Sequence, residues 1–198
     1  MLGTRLRCGF DLNRVPLVTE LPPARRELIE RHLIALPPDE RRLRFAAALS
    51  DDALRAYARS IRFDRDAAFG AFDERLDLVG FGHLALAGPE AEFGLSVLPS
   101  ARRQGLGLRL LLRAARHARA LGTDSFLMTY LPENQALREL AKRAGMRIEF
   151  DAEGPLARMV LPEAEPDALL HEVADATLTG LDLSFRLANR SAKQLTSA

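Results

Sequence analysis

Arg102-Arg103-Gln104-Gly105-Leu106-Gly107 sets two cations and two glycines just ahead of an apolar, arginine-bearing run with helical spacing. Glycine weakens a helix, so two of them at a helix start need a reason. The first turn of a helix carries backbone N–H groups without internal partners and the positive end of the dipole, and glycine lets a bulky anion approach them. Arg102 and Arg103 add charge-assisted bonds to phosphate oxygens. No third glycine follows at dinucleotide spacing and no Gly-Lys-Ser/Thr ends the turn, so the stretch is neither a dinucleotide fingerprint nor a P-loop. Another phosphate carrier is expected.

Other reactive side chains are scattered. His83 could act as a base but also fits a structural role, while His32 and His117 sit among arginines in helical stretches and His171 lies near the C-terminus. No pair has metal-ligand spacing, so no metal site is expected. Cys8 is the single cysteine, which excludes an intrachain disulfide and fits a reducing compartment. There is no Gly-x-Ser-x-Gly elbow.

The elements that must position the glycine turn can be read from periodicity. Residues 15–21 read as a strand, followed by Pro22-Pro23 and an amphipathic helix that Pro37-Pro38 stops. A second helix is expected over 38–48 and a third to about residue 60, capped by Ser50 or Asp51. Strands at 67–72 and 76–87 form an antiparallel hairpin joined at Asp73-Glu74-Arg75, and 91–98 forms the next strand. Gly94 within it suggests a bulge or the close approach of another backbone. After the long helix come a strand at 125–131, a helix at 134–144 ended by Gly145, and two closing strands. The tail is ambiguous: residues 166–178 suit a helix, while Leu181, Leu183, Phe185 and Leu187 alternate as in a strand. The fold class is α/β (α+β), a mixed sheet covered by helices.

Composition agrees with a globular domain: 198 residues, 47% apolar and 28% charged, with a net charge of +1. That balance gives no electrostatic case for nucleic acid. No apolar stretch reaches membrane-spanning length, and Arg5, Arg7, Asp11 and Arg14 interrupt any signal-like segment, so a cytoplasmic location is expected.

The hexapeptide, with Val97 and Pro99 upstream, resembles the Arg/Gln-x-x-Gly-x-Gly/Ala signature of the GNAT superfamily of N-acetyltransferases. The order of elements over 15–161 is similar to that family, with the specific motifs in 91–146. The resemblance implies a mostly antiparallel central sheet with a parallel pair splayed around acetyl-coenzyme A, and coenzyme A as product. It implies that the amides of Gln104, Gly105, Leu106 and Gly107 receive the pyrophosphate beside Arg102 and Arg103. The backbone of Leu95, Ser96 and Val97 would pair with the pantetheine arm, a Leu95 N–H would polarise the thioester, and Asn134 would face the thiol end.

An amine attacks a thioester only when uncharged, so a base is needed. The Ala-Glu-Phe around Glu92 is similar to the acyltransferase domain of bacterial protein-lysine acetyltransferases, which implies Glu92 as that base; an exposed strand residue is the plainer alternative. Two positions depart from the broader family pattern. Ala141 stands where many members have a tyrosine that protonates the thiolate, and Thr129 where others have a glutamate. Water or Tyr130 is left as the proton donor, and Tyr130 also fits the buried side of a strand.

The resulting expectation is an N-acetyltransferase domain at 15–162, between extensions at 1–14 and 163–198. It acts on a primary amine, either a protein lysine or a small molecule, by direct attack in a ternary complex. The run Glu40 to Phe45 could meet an acidic partner or the cofactor's 3′-phosphate, though such runs are usually solvated. The alternatives are a non-catalytic acyl-coenzyme-A sensor, or an interaction unit whose 181–187 tail adds a strand to a neighbour. A homodimer stays open.

Overall fold

The computed structural model of the chain describes residues 17–152 and 154–196, so the expected extension 1–14 and Cys8 lie outside the described residues. Strand β1 (Leu17–Glu20) leads into a short 3-10 turn, Pro23–Arg25, and helix α1 (Arg26–Ile34). Pro38 occupies the first turn of α2 (Pro38–Phe45), where its missing N–H costs nothing. Ser50 caps α3 (Asp51–Ser60), its hydroxyl accepting the Ala53 N–H at 3.3 Å.

Strands β2 (Ala67–Phe72) and β3 (Leu78–Ala87) form the expected hairpin, with a longer loop than Asp73-Glu74-Arg75 alone. The Asp73 carboxylate accepts the N–H groups of Arg75 and Asp77, both at 2.9 Å, and holds the chain in a turn through Asp77. Next come β4 (Glu90–Val97), α4 (Leu106–Ala120), β5 (Ser125–Thr129), α5 (Gln135–Arg143), β6 (Arg147–Asp151), β7 (Gly154–Val160) and α6 (Ala168–Thr196).

The seven strands form one sheet in the order β1-β2-β3-β4-β5-β7-β6. All neighbours pair antiparallel except β4 and β5. One face packs on α4 and α5 through Phe69, Leu84, Phe93, Phe126 and Leu110; the other packs on α1 and α3 through Phe72, Phe81, Leu33 and Leu54. The mixed sheet flanked by helices agrees with the fold class read from the sequence.

The expected bulge at Gly94 is absent. Pairing of β3 with β4 runs without a shift from Gly80↔Val97 to Ala87↔Glu90, whereas the irregularity falls between Ala71 and Phe72 in β2. What approaches Gly94 is a side chain, not a backbone: a Cβ there would lie 2.2 Å from an Arg44 guanidinium nitrogen.

The strand suggested for 181–187 is also corrected, because Ala168–Thr196 forms the single helix α6. A four-residue step returns to the same side of a helix as well as of a strand, so alternating leucines satisfy both patterns. In the helix Leu183 and Leu187 turn inward, and Leu181 and Phe185 outward. α6 docks on β1 and α4. The buried Glu172 carboxylate accepts from Arg113 and from His117, the latter at 2.8 Å, and Thr19 donates to Thr179 at 3.0 Å. Glu20, His117 and Glu172 place ligand-type atoms within 4.8 Å of one another, but the guanidinium of Arg113 already supplies positive charge there. Among the described residues, no helix is long and apolar enough to cross a membrane.

Candidate active site

The parallel β4–β5 pair is paired only along Glu90↔Ser125, Ala91↔Phe126 and Glu92↔Leu127. β4 continues for five more residues, so beyond Glu92 the two strands separate and one edge of β4 opens. Which amides face that edge follows from ladder alternation. The Leu98 N–H donates to the Val79 carbonyl at 2.8 Å, which assigns the even-numbered residues of β4 to bonding with β3 and turns the odd-numbered ones away. Leu95 and Val97 therefore present backbone groups to the opening, whereas Ser96 is turned to Phe81. Of the three residues expected to meet the pantetheine arm, Leu95 and Val97 turn backbone groups to the opening and Ser96 turns its own to β3.

At the end of β4, Pro99–Ala101 forms a 3-10 turn and the chain reaches α4. Gly105 is the N-cap of α4, with φ of 77°, a left-handed conformation that side chains disfavour. Arg109 is the first residue to bond back, donating to the Gly105 carbonyl at 3.1 Å, so the amides just before it are open to an anion. Gly107 has a different job. A Cβ on it would stand 3.4 Å from Leu140 and 3.7 Å from Leu95, in ordinary contact.

Of the two turn arginines, Arg102 is held: its Nε donates to the Val97 carbonyl at 3.1 Å and its guanidinium pairs with Glu40. Arg103 and Gln104 are exposed, and Arg103 adopts a positive φ of 63°. The turn is a coil of exposed cations and open amides at the foot of the split sheet.

The remaining expected site residues divide between the two faces. On the α1–α2 side, exposed Glu92 accepts a hydrogen bond from the Thr129 hydroxyl at 2.7 Å, bridging the strands where they part. Four residues along, the buried Ser96 hydroxyl meets His32 Nε2 at 2.9 Å, and His32 Nδ1 meets the Leu78 carbonyl at 3.1 Å. The carbonyl can only accept, so Nδ1 carries the proton and Nε2 accepts from Ser96. Burial pushes His32 down to about 4, so it is neutral at pH 7.

On the α4–α5 side, Tyr130 is 9% exposed and its hydroxyl is buried without a partner among the described residues. It shares the core with Ala141, the residue standing at the expected tyrosine position. Asn134 is buried and committed at both ends of its amide: it caps α5 by accepting the Leu137 N–H at 3.1 Å and donates to the Leu43 carbonyl at 3.4 Å.

The structure also gathers groups that spacing did not single out. His83 lies opposite Gly94 on β3, with Nδ1 2.8 Å from the Tyr57 hydroxyl and Nε2 3.4 Å from Asp66. Burial lowers the His83 pKa against the pull of Asp66, and the charge of Arg44 lowers it further. Tyr57, Asp66 and Arg44 come from three separate segments, and only the run around Arg44 gave any sequence signal.

Comparison with known proteins agrees with the fold. No curated protein sequence matches the chain. The fold is similar to the GNAT domain of S. lividans PAT, with 18% identity, a TM-score of 0.62, and coverage of 73% of this chain and 89% of that one. It is similar to a phosphinothricin acetyltransferase from Sinorhizobium meliloti in complex with AcCoA (15% identity, TM-score 0.61, coverage 76% and 94%). Spermidine N-acetyltransferase from Vibrio cholerae in complex with CoA and spermine is a third (19%, 0.58, 73% and 93%). The model of the Acetyltransferase (GNAT) family matches residues 33–146, more than half of the sequence, and the chain belongs to that family.

Proposed function

We propose that the protein is an acetyl-coenzyme-A-dependent N-acetyltransferase that acetylates a primary amine by direct attack in a ternary complex. The observation that carries this reading is the parting of β4 from β5 after Glu92, with β4 running on to the left-handed Gly105 and the open amides of α4. The cofactor, when bound, supplies an activated acetyl group. Gln104 to Gly107 hold its diphosphate, with charge from Arg102 and Arg103. Leu95 and Val97 lend backbone groups to its pantetheine arm.

In this reading the Leu95 N–H is fixed toward the thioester oxygen and stabilises the negative charge that grows there. Glu92 takes one proton from the amine, directly or through water, and Thr129 fixes the carboxylate. The N–C bond forms, the C–S bond breaks, and the sulfur leaves as a thiol after gaining a proton from Tyr130 or water. The unpartnered Tyr130 hydroxyl supports the first donor, since a buried polar group normally has a partner. Asn134 acts by fixing the start of α5 beside the thiol end. Residues 15–162 make the catalytic unit and 163–198 a supporting extension, in a protein of the cytoplasm.

Calorimetry with coenzyme A, followed by thiol release over a panel of amines, tests the reading. Acceptor-dependent turnover is expected. Uptake without turnover across the panel would instead favour the acyl-coenzyme-A sensor, for which Ala141 is the best support. Glu92→Gln should lower kcat at saturating amine and neutral pH by about 10²-fold; a parental rate removes Glu92 as the base. Sedimentation velocity decides the homodimer, for which the exposed Leu170, Val173, Leu178, Leu181 and Phe185 of α6 offer apolar surface.

A further inference from the structure

The arginines of the run Glu40 to Phe45 do not share one role. Arg41 is a staple, donating to the Leu36, Leu49 and Ile34 carbonyls at 2.9, 3.1 and 2.7 Å and to Asp51 at 2.7 Å. Arg42 pairs with Glu133. Arg44 turns inward. Its guanidinium carbon lies 4.8 Å from the centre of the Phe45 ring and 5.9 Å from that of Tyr57, and Nη2 donates to the Tyr57 hydroxyl at 3.1 Å.

Among the described residues no carboxylate pairs with Arg44, and its Nε is buried without a partner. Nearby acids are engaged elsewhere: Asp66 accepts from the Arg62 N–H at 3.1 Å and faces His83, and Glu92 accepts from Thr129. A partly desolvated cation without a counterion is costly, and the cost disappears when an anion is delivered to it. The surroundings make room for this arrangement. Arg44 lies on Gly94, where any Cβ would collide with it, and Gly94 follows Glu92 by two residues on the same face of β4, about 7 Å along the strand.

We propose that Arg44 is a carboxylate receptor and that the acceptor is a small zwitterionic amino acid, its amine directed to Glu92 and its carboxylate to Arg44. The proposal rests on the acetyltransferase reading above. The scale is compatible: an α-amino acid holds its nitrogen and carboxylate oxygens about 3 Å apart, and a charge-assisted bond of about 2.8 Å at each end gives a reach of roughly 8–9 Å, against about 7 Å of strand from Glu92 to the glycine on which Arg44 lies. A guanidinium offers carboxylate a planar, two-pronged fit that a lysine does not. The same fixed charge repels a polyamine. Transfer then proceeds as before, with the N–C bond replacing the C–S bond, one amine proton passing to Glu92 and coenzyme A released as thiol.

The test compares free L-amino acids with the corresponding α-amides in the thiol-release assay, with spermidine as a third arm. Amidation lowers the basicity of the amine and so favours the amide chemically; a preference for the acid must come from the site. The parent should prefer at least one free amino acid over its amide by about 10-fold or more in kcat/KM. Arg44→Gln should raise KM for the acid and bring that ratio near one, Arg44→Lys should fall between, and calorimetric affinity for coenzyme A should hold in both. Near-ultraviolet circular dichroism and coenzyme uptake establish that each variant is folded; a misfolded Arg44→Gln leaves the parent's acid-to-amide ratio and Arg44→Lys to decide. Amides turned over as well as acids, spermidine used faster than every amino acid, or a ratio that survives loss of Arg44 overturns the proposal. So does coenzyme uptake with no turnover of any free amino acid. Failure of the parent to bind coenzyme A overturns the acetyltransferase reading itself, and this inference with it.

Discussion

His32 shows how a single side chain under the site ties stability to pH. Its ring joins α1 to the β3 carbonyl of Leu78 and the β4 hydroxyl of Ser96, and burial pushes it down to about 4. The unfolded chain therefore binds a proton near pH 6.5 that the folded chain refuses until about pH 4. Its contribution is complete above about pH 6.5 and is lost as pH falls toward 4, amounting to roughly 3 kcal/mol. Denaturant unfolding between pH 7 and pH 4 checks this: His32→Asn should flatten the slope in that window, and an unchanged slope would mean that other groups produce it. The proposed pairing of Glu92 with Arg44 belongs to this scale too, since two residues of strand separate a carboxylate at the parting of the sheet from a glycine that admits a guanidinium.

At the scale of elements, the glycine turn joins two different requirements. Gly105 has open space around its Cα but a left-handed φ of 77°, so Gly105→Ala should cost about 1 kcal/mol of stability and displace the first amides of α4. Gly107 lies inside α4, where a methyl would meet only ordinary contacts, so Gly107→Ala should stabilise by up to about 1 kcal/mol through helix propensity. Chemical denaturation of both variants checks the opposite signs, and calorimetry with coenzyme A then reads what each does to binding. If Gly107 serves close approach of the phosphates, its alanine variant will be more stable and bind less tightly. The split between β4 and β5 is a property of elements in the same way, because it exists only where a parallel neighbour stops pairing while β4 runs on.

For the whole molecule, α6 decides how the far edge of the sheet is closed. Glu172 is buried between Arg113 and His117, and Arg113 lies 5.2 Å over the Phe69 ring, so the helix is fixed to the core by charge as well as by Leu183. Burial opposes ionisation of Glu172, yet the His117 hydrogen bond and the Arg113 charge overcome it and hold its carboxyl below the usual range. A depressed carboxyl stabilises the fold above the unfolded value of about 4.3, and that contribution is lost as pH falls through the lower folded value. Glu172→Gln should destabilise by about 3 kcal/mol, because the buried Arg113 keeps as counterion only the more exposed Asp175, 3.5 Å away. Thermal unfolding at pH 7 measures this, and a loss well under 1 kcal/mol would show that α6 is held by its apolar contacts alone.

The sequence by itself determined what local chemistry can specify. Proline and serine punctuation marked the helix starts at Pro38 and Asp51, alternating apolar residues marked the hairpin, and the Arg-Arg-Gln-Gly-Leu-Gly turn marked the start of α4 and the family. Patterns that two structures share stayed undecided, as with the leucines of α6, where a four-residue step serves helix and strand alike. Only the tertiary structure decided which backbone groups of β4 face the opening, why Gly94 is a glycine, and which of three nearby arginines has no carboxylate among the described residues. Those facts depend on contacts between residues far apart in the chain, such as Arg44 with Gly94 and His83 with Tyr57, and no spacing along a single sequence encodes a distance across a fold.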